Sequence, residues 1–186
     1  MKDEPGKQGR HSIRLRGYDY AAAGGYFVTI VGLGWKCVFG KIVKGEMRLN
    51  TLGKIVKECW DEIPIHFPYT SIDAFVIMPN HIHGIIVIHD SSFFVVGAQH
   101  AAPLQNPISL NVKPGSLGAI VRSFKSAVTY RAHRELNMTN IWQRNYYEHI
   151  IRNDQDYENI TRYVISNPMN WGEDDENPRN IAKRGI

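Results

Sequence analysis

The sequence predicts an α+β fold in which helices pack on one face of a mainly antiparallel sheet. Two runs rich in β-branched and aromatic residues, 71–78 and 82–89, are separated by little more than Pro79-Asn80. This pattern is typical of neighbouring antiparallel strands. Other segments combine apolar residues at helical spacing with a cap residue, as helices do. Strands and helices in this order favour a sheet covered by helices.

A strand, a hairpin and a helix are expected before these two strands. The strand is predicted over 26–33 and the hairpin over 38–50, turning near Gly45. The helix is predicted over 51–63, because apolar residues recur there at helical spacing, and Pro64 ends it.

A loop and two helices are expected after the two strands. Residues 91–115 show no periodicity and contain Gly, Pro, Gln and Asn, which is typical of a functional or disordered loop. Ser116 is expected to cap a second helix that continues to about residue 136. Asn153 or Asp154 is expected to cap a third helix, which ends at Asn167 because a proline follows.

The length of 186 residues suits a single domain. The two ends of the chain offer little apolar surface to bury. We therefore expect a flexible basic arm at 1–12, one domain over 13–171 and a polar C-terminal tail over 172–186.

Net charge, cysteine count and the length of the apolar stretches indicate which partners and which cellular location to expect. A formal net charge of +4 permits a nucleic-acid partner without demanding one. Cys37 and Cys59 are too few for a disulfide framework, so a cytoplasmic location is expected. The N-terminus has no apolar signal region, and the apolar stretches are too short to cross a bilayer, so no membrane partner is expected.

The strongest chemical signal is the run His81-Ile82-His83. Successive strand residues point to opposite faces of a sheet, so the two imidazoles point the same way. Two neutral imidazoles on one face form half of a metal site. Gly84 is expected to leave room above the strand for a ligand or a partner chain.

Two other interpretations of these histidines are open at this point. An isolated pair of this kind is more often explained as two surface or hydrogen-bonded histidines at a strand edge. A histidine-triad nucleotide hydrolase would need a third histidine at the next inward position. This chain has Ile85 there, and His89 lies too far along the strand.

Tyr163 and Asn167 lie four residues apart on the third predicted helix and share one face. A phenol and a carboxamide ~6 Å apart can address the same metal-bound phosphate. A tyrosine oxygen can attack a phosphodiester and form a covalent intermediate. Viewed alone, the pair is also explained by a packed tyrosine and a helix cap. Rival nucleophiles, which lack an amide or carboxylate one turn later on a comparable helix, are Tyr130, Tyr146, Tyr147 and Tyr157.

Five motifs, taken in order, resemble those of the HUH single-tyrosine transposases, and within them the REP-associated tyrosine transposases. The resemblance covers about residues 11–171. The motifs are YFVTI at 26–30, VIMPNHIHG at 76–84, GAIVRSFKS at 118–126, IWQRNYYEHIIR at 141–152 and YVISNP at 163–168.

The resemblance implies the ferredoxin-like or RRM-like HUH endonuclease fold and the cutting and joining of single-stranded or hairpin DNA with Mg²⁺ or Mn²⁺. Palindromic repeats are the expected DNA. By position it implies that His81, His83 and Asn167 are metal ligands. It also implies that Tyr163 becomes linked to the 5′ phosphate and frees a 3′ hydroxyl. Related transposases have a glutamine at the position of Asn167.

Two alternatives remain open beside active transposase chemistry. One is a non-catalytic or domesticated DNA-binding module of the same fold, although the intact set of His81, His83, Tyr163 and Asn167 argues against it. A relaxase or replication initiator would use the same chemistry, usually in a larger chain. Either a monomer or a homodimer fits, so Tyr163 acts on its own histidines or on those of a partner.

DNA contacts are expected from basic side chains near these motifs, although each is equally explained as a solvated surface charge. Trp142, Tyr146 and Tyr147 are candidates for stacking on unpaired bases or for core positions. The basic candidates are Arg14, Arg16, Arg122, Lys125, Arg144, His149 and Arg152.

Overall fold

A computed structural model of the chain describes residues 15, 17–90 and 113–183. The strands of the described part are β1 (Gly24–Val31), β2 (Gly40–Val43), β3 (Glu46–Leu49), β4 (Thr70–Ile77), β5 (His81–Ile88) and β6 (Tyr147–Ile151). Its helices are α1 (Thr51–Asp61), α2 (Ile63–His66), α3 (Leu117–Leu136), α4 (Asp154–Ser166) and α5 (Pro178–Lys183).

Four strands form an antiparallel sheet in the order β4-β5-β1-β6. β2 and β3 form a separate hairpin, as predicted. Because β5 lies between β4 and β1, its side chains are flanked by neighbours on both sides. In this register His83 lies opposite Thr29, and His81 lies opposite Val31. The predicted α+β class with an antiparallel sheet is confirmed.

One face of the sheet carries the main hydrophobic core. Every second residue of β1 and β5 points into it and packs against α1 and α3, as the alternation predicts. Trp60 of α1 stacks on Phe75 with ring centroids 4.4 Å apart. The Trp60 ring fills the space above Gly84, so that a Cβ atom there would collide with it. The expectation that Gly84 leaves room for a ligand or a partner chain is therefore wrong.

The three long helices begin at the residues that the sequence indicates. Asn50 caps α1 by accepting a hydrogen bond from the Gly53 amide at 2.9 Å. Ser116 caps α3 and Asn153 caps α4 in the same way. α3 ends at Asn137, whose left-handed backbone (φ 52°) stops the helix. Side-chain oxygens thus satisfy amides that would otherwise lack partners.

The face opposite the main core is covered by a further helix. α1 and α3 pack on the first face, as predicted, whereas α4 lies against the other. Val164 of α4 is buried, and Tyr157 donates a hydrogen bond to Asp73 of β4. This face also carries His81 and His83, so α4 brings its side chains to the histidine pair.

Two segments differ from what the sequence predicted, and others lie outside the described residues. Residues 147–151 form the edge strand β6, which was not predicted. Residues 172–186 were expected as a polar tail, yet Asp174 and Asn177 are buried. The expected basic arm and most of the 91–115 loop lie outside the described residues, and the division of the chain into arm, domain and tail stays a prediction. None of the helices in the described ranges is long and apolar enough to cross a membrane.

Candidate metal and tyrosine site

His81 and His83 lie side by side on the central strand β5. Their side chains point to the same face, and their Nε2 atoms are 2.9 Å apart. Both residues are buried, with 0% and 2% of their surface exposed. The two imidazoles therefore present their ring edges to one shared point.

The tautomer of His81 is fixed by Asn80. The Asn80 amide nitrogen donates to the carbonyl of Trp35 at 3.2 Å and to the carbonyl of Glu176 at 2.7 Å. Its oxygen is therefore the atom that lies 2.8 Å from His81 Nδ1, and it accepts the proton of that nitrogen. The Nε2 atom of neutral His81 is left with a free lone pair, which is the form that binds a metal.

His83 has two hydroxyl groups as partners. Its Nδ1 atom lies 2.8 Å from Thr29 Oγ1 on the neighbouring strand. Its Nε2 atom lies 3.2 Å from Tyr163 Oη. In the tautomer in which Nδ1 donates to Thr29, Nε2 presents a lone pair that can accept from the tyrosine or, with the facing His81 Nε2 2.9 Å away, bind a cation.

Burial keeps both imidazoles neutral. Desolvation lowers the pKa of His81 well below its usual value, and the neighbouring His83 adds to this effect. Desolvation also lowers the pKa of His83 to about 3. Since neutral imidazole is the ligand form, the pair is ready to bind a metal at neutral pH.

Tyr163 projects from α4 to the edge of the histidine pair. Its ring contacts His83 at a centroid distance of 5.2 Å and Phe27 at 6.2 Å. Burial raises the pKa of the phenol to about 12, and the carboxylate of Asp174 contributes. The hydroxyl is therefore protonated at neutral pH. The side of the ring that faces away from the sheet is open, since 45% of the residue is exposed.

Two of the rival tyrosines, Tyr157 and Tyr130, are placed away from the histidines, whereas Tyr147 lies opposite Thr29 on β6. Tyr157 points along α4 to Asp73, to which it donates a hydrogen bond. Tyr130 lies exposed on α3, on the opposite side of the sheet. Tyr163 is the predicted nucleophile that the structure brings to the histidines.

Two buried oxygen atoms lie beside this cluster. Asp174 Oδ2 is 3.9 Å from His81 Nε2, and the ligand atoms of His81, His83 and Asp174 all lie within 4.8 Å of one another. Asn167, at the C-terminal end of α4, shares a cleft of about 370 Å³ with Tyr163 and Asp174. Asn167 Oδ1 and Asp174 Oδ2 are buried without a hydrogen-bond partner among the described residues. The two imidazoles and the Asp174 carboxylate form a group that can hold a metal ion, and Asn167 lines the adjoining cleft.

Sequence reasoning missed three residues of the site. Asn80 and Thr29 lie within motifs that were recognised, but their roles depend on tertiary contacts. Asp174 belongs to an acidic run in the polar end of the chain, where no periodicity or motif marks one carboxylate above the others.

The predicted DNA-contacting residues on α3 line a groove of about 810 Å³. Arg122 and Lys125 share it with aromatic rings of Trp142 and Tyr146. The Lys125 ammonium donates to the Gln143 and Asn145 carbonyls at 2.6 and 3.1 Å, and burial lowers its pKa to about 8. Lys125 therefore also positions the loop before β6.

The other predicted DNA contacts are spread around β6. Arg144 and Arg152 are exposed before and after the strand. His149 Nε2 lies 2.8 Å from the carboxylate of Asp156, so this histidine is paired within the protein. Two further candidates, Arg14 and Arg16, lie outside the described residues.

Comparisons with known proteins agree with the motifs. No protein-family model matches the chain. An uncharacterized protein of Haemophilus influenzae is 45% identical over 168 residues, which cover 89% of this chain and 91% of that protein. A second Haemophilus influenzae protein, named "Putative REP-associated tyrosine transposase", is 29% identical over 110 residues, covering 58% of this chain and 53% of that protein. The chain thus spans about half the length of this second relative.

A solved structure supports the fold. The structure of a REP-associated tyrosine transposase bound to a REP hairpin has a TM-score of 0.59 and 21% sequence identity, and it covers 86% of this chain and 74% of that chain. At this identity the likeness shows the fold. The resemblance to REP-associated tyrosine transposases is thereby confirmed. The chain belongs to one family with the uncharacterized Haemophilus influenzae protein, and this family has the fold of the REP-associated tyrosine transposases.

Proposed function

We propose that the chain is a metal-dependent endonuclease and strand transferase for single-stranded or hairpin DNA, acting through a covalent 5′-phosphotyrosine. The contact between Tyr163 Oη and His83 Nε2, at 3.2 Å, carries the proposal. It places a candidate nucleophile at the edge of a candidate metal site. The likeness to a transposase bound to a REP hairpin supports DNA as the partner.

The residues present fit a divalent cation. Two neutral imidazole nitrogens converge, and Asn167 Oδ1 is buried without a hydrogen-bond partner. Buried acceptors of this kind are stabilised by a cation. We propose that His81, His83 and Asn167 would hold Mg²⁺ or Mn²⁺. Such an ion would polarise the scissile phosphate and neutralise charge that develops on it.

Tyr163 would supply the nucleophilic oxygen. Its Oη atom forms a bond to phosphorus, and the bond between phosphorus and the 3′ oxygen breaks. The phenol proton leaves to water on the exposed side of the ring, and the departing 3′ oxygen takes up a proton. Attack by another 3′ hydroxyl on the phosphotyrosine reverses the step and joins strands.

Residues of a single chain would complete the site, whether the protein is a monomer or a homodimer. Tyr163 contacts the His83 of the same chain, which supports action within one subunit. Binding of the hairpin is proposed for the groove that Arg122 and Lys125 line on the α3 face of the sheet, because cations there would neutralise phosphates; the strand to be cut would extend from there to Tyr163 on the other face. Trp142 and Tyr146 offer rings on which unpaired bases would stack.

The test is covalent capture. End-labelled hairpin oligonucleotides are incubated with the protein and Mn²⁺ and resolved on a denaturing gel. A protein–DNA adduct is expected for the wild type and is expected to disappear in Tyr163→Phe. Tyr157→Phe is the matched control, because its hydroxyl lies on the same helix but contacts Asp73.

The opposite outcome is equally clear. A wild-type protein that binds hairpins tightly but forms no adduct and makes no cut across a broad set of oligonucleotides would be a DNA-binding module of the same fold. An adduct that persists in Tyr163→Phe would refute the assignment of the nucleophile.

A further inference from the structure

We propose that Asp174 is an additional ligand of the metal at the histidine pair, supplied by the segment that follows α4. This inference rests on the proposed metal site. It adds an anionic ligand to His81, His83 and Asn167. It also makes the segment 171–177 part of the site rather than a tail beside it.

The position of Asp174 is the first argument. Its Oδ2 atom lies 3.9 Å from His81 Nε2, and its distance to the nearer ring nitrogen of His83 is within 4.8 Å. Two ligand atoms that each lie about 2.1 Å from one ion are at most about 4.2 Å apart. The 3.9 Å separation from His81 is within this limit, and a shift of the carboxylate toward His83 would bring all three ligand atoms into one coordination shell.

The missing hydrogen bond is the second argument. The side chain of Asp174 is 2% exposed, and its Oδ2 atom has no hydrogen bond of normal geometry among the described residues. Burial raises the pKa of this carboxyl, and the nearby Asn167 side chain offsets only part of that effect. A hydrogen bond to His81 would need a shorter distance than 3.9 Å. Buried carboxylates are paired with cations or coordinate metals, because an isolated charge in the interior is strongly destabilising. A cation at the histidine pair would supply the missing partner.

The third argument is how the segment is held. The Asn80 amide that fixes the tautomer of His81 also donates to the Glu176 carbonyl at 2.7 Å. The Glu176 amide donates to the other carboxylate oxygen of Asp174 at 2.6 Å. One oxygen of Asp174 is thus anchored by the backbone, and the other is left directed at His81.

The donor set indicates the class of metal. Two imidazole nitrogens, a carboxylate and an amide oxygen mix ligands that suit Mn²⁺ with ligands that suit the later transition metals. Mg²⁺ prefers oxygen donors and several waters. An octahedral ion would keep about two positions for phosphate oxygen or water. We therefore expect Mn²⁺ to bind more tightly than Mg²⁺.

Metal binding is the direct test. Calorimetric titration of the full chain with Mn²⁺ is expected to show at least about tenfold weaker binding for Asp174→Asn. Asp174→Glu keeps the charge on a longer side chain, and its Mn²⁺ affinity is expected to lie between those of the wild type and Asp174→Asn. Asp175→Asn is the matched control, because the same change is made at the exposed neighbouring position and affinity should stay near that of the wild type.

Segment order gives a second readout that needs no DNA. Mn²⁺ is expected to slow hydrogen exchange over 171–177 in the wild type and in Asp175→Asn, but not in Asp174→Asn. Thermal melts in a chelator show whether each variant folds. If one variant fails to fold, the other still tests the ligand.

The possible failures are distinguishable. If His81→Ala loses Mn²⁺ while Asp174→Asn and Asp174→Glu both bind it as the wild type does, Asp174 is not a ligand and the histidine site stands. If His81→Ala also binds as the wild type does, the proposed metal site itself is wrong.

Discussion

The two faces of β5 differ in what they bury, although they belong to one strand: one buries apolar side chains and the other buries polar ones. Ile82, Gly84 and Ile86 point into a core that Trp60 closes without a gap. His81 and His83 point to the other face, where buried acceptors lack partners. The first face is closely packed with apolar side chains, and its unpartnered buried polar atom at this point is an indole N–H donor, that of Trp60. The second leaves buried acceptors without partners, so the contrast separates the face that stabilises the fold from the face that carries the proposed metal site.

The largest expected effect on stability is on the packed face. Trp60 is fully buried and contacts both Phe75 and Phe124. Trp60→Ala is expected to lower the free energy of unfolding by about 3–5 kcal/mol, because a large ring is replaced by a cavity. Urea melts monitored by circular dichroism measure this loss. Tyr130→Ala, at an exposed position, should change the same quantity by less than about 0.5 kcal/mol.

A smaller and pH-dependent effect is expected from the histidine face. The folded-state pKa of His81 and of His83 lies below 6.5, the value for the unfolded chain. Below pH 6.5 the unfolded state therefore binds more protons, so stability falls as the pH falls. Each histidine contributes up to about 1.4 kcal/mol per pH unit. The raised pKa of Asp174 acts in the opposite direction at lower pH.

Denaturant melts in a chelator, between about pH 7 and about pH 5, measure this slope. His83→Gln is expected to reduce it by roughly half, since one of the two titrating rings is removed. If the free energy of unfolding of the wild type does not change over this interval, the histidines are not held neutral by burial. The two faces of β5 would then not differ in their electrostatics.

The packed face is the part of the molecule that sequence reasoning described best. Apolar periodicity located α1 and α3, and the cap residue Ser116 located the start of α3, because both signals are local. Alternation along β5 also placed the two imidazoles on one face. The room expected above Gly84 was not there, because the ring that fills it comes from α1, and periodicity does not reveal which helix residue meets which strand residue.

The face of β5 that carries the histidines was only partly predictable. Motif order located His81, His83, Tyr163 and Asn167, and the structure brings Tyr163 to the histidines. The edge strand β6 was missed because its short run YEHII mixes polar and apolar residues without clear alternation. Asp174 was missed because its role depends on how a polar segment folds back after α4. Contacts of this kind are set by tertiary structure and leave no local pattern.

The smallest stability effect, with the most specific consequence, is expected at Thr29. Its Oγ1 atom lies 2.8 Å from His83 Nδ1, and Thr29→Val removes that partner while keeping the shape of the side chain. We expect a loss of about 1 kcal/mol in unfolding free energy. Mn²⁺ affinity should fall about 10- to 100-fold, because the ligand ring loses the group that fixes its tautomer.

Thr70→Val separates these two effects. Thr70 is also buried, and its hydroxyl donates to the Phe67 carbonyl at 2.7 Å. It lies at the start of β4, far from the histidines along the sheet. It should lose similar stability while binding Mn²⁺ as the wild type does. Equal metal affinities in Thr29→Val and Thr70→Val would show that the Thr29 hydroxyl only packs. Thr29 would then contribute to the stability of the fold alone, and the imidazoles would bind Mn²⁺ without help from its hydroxyl.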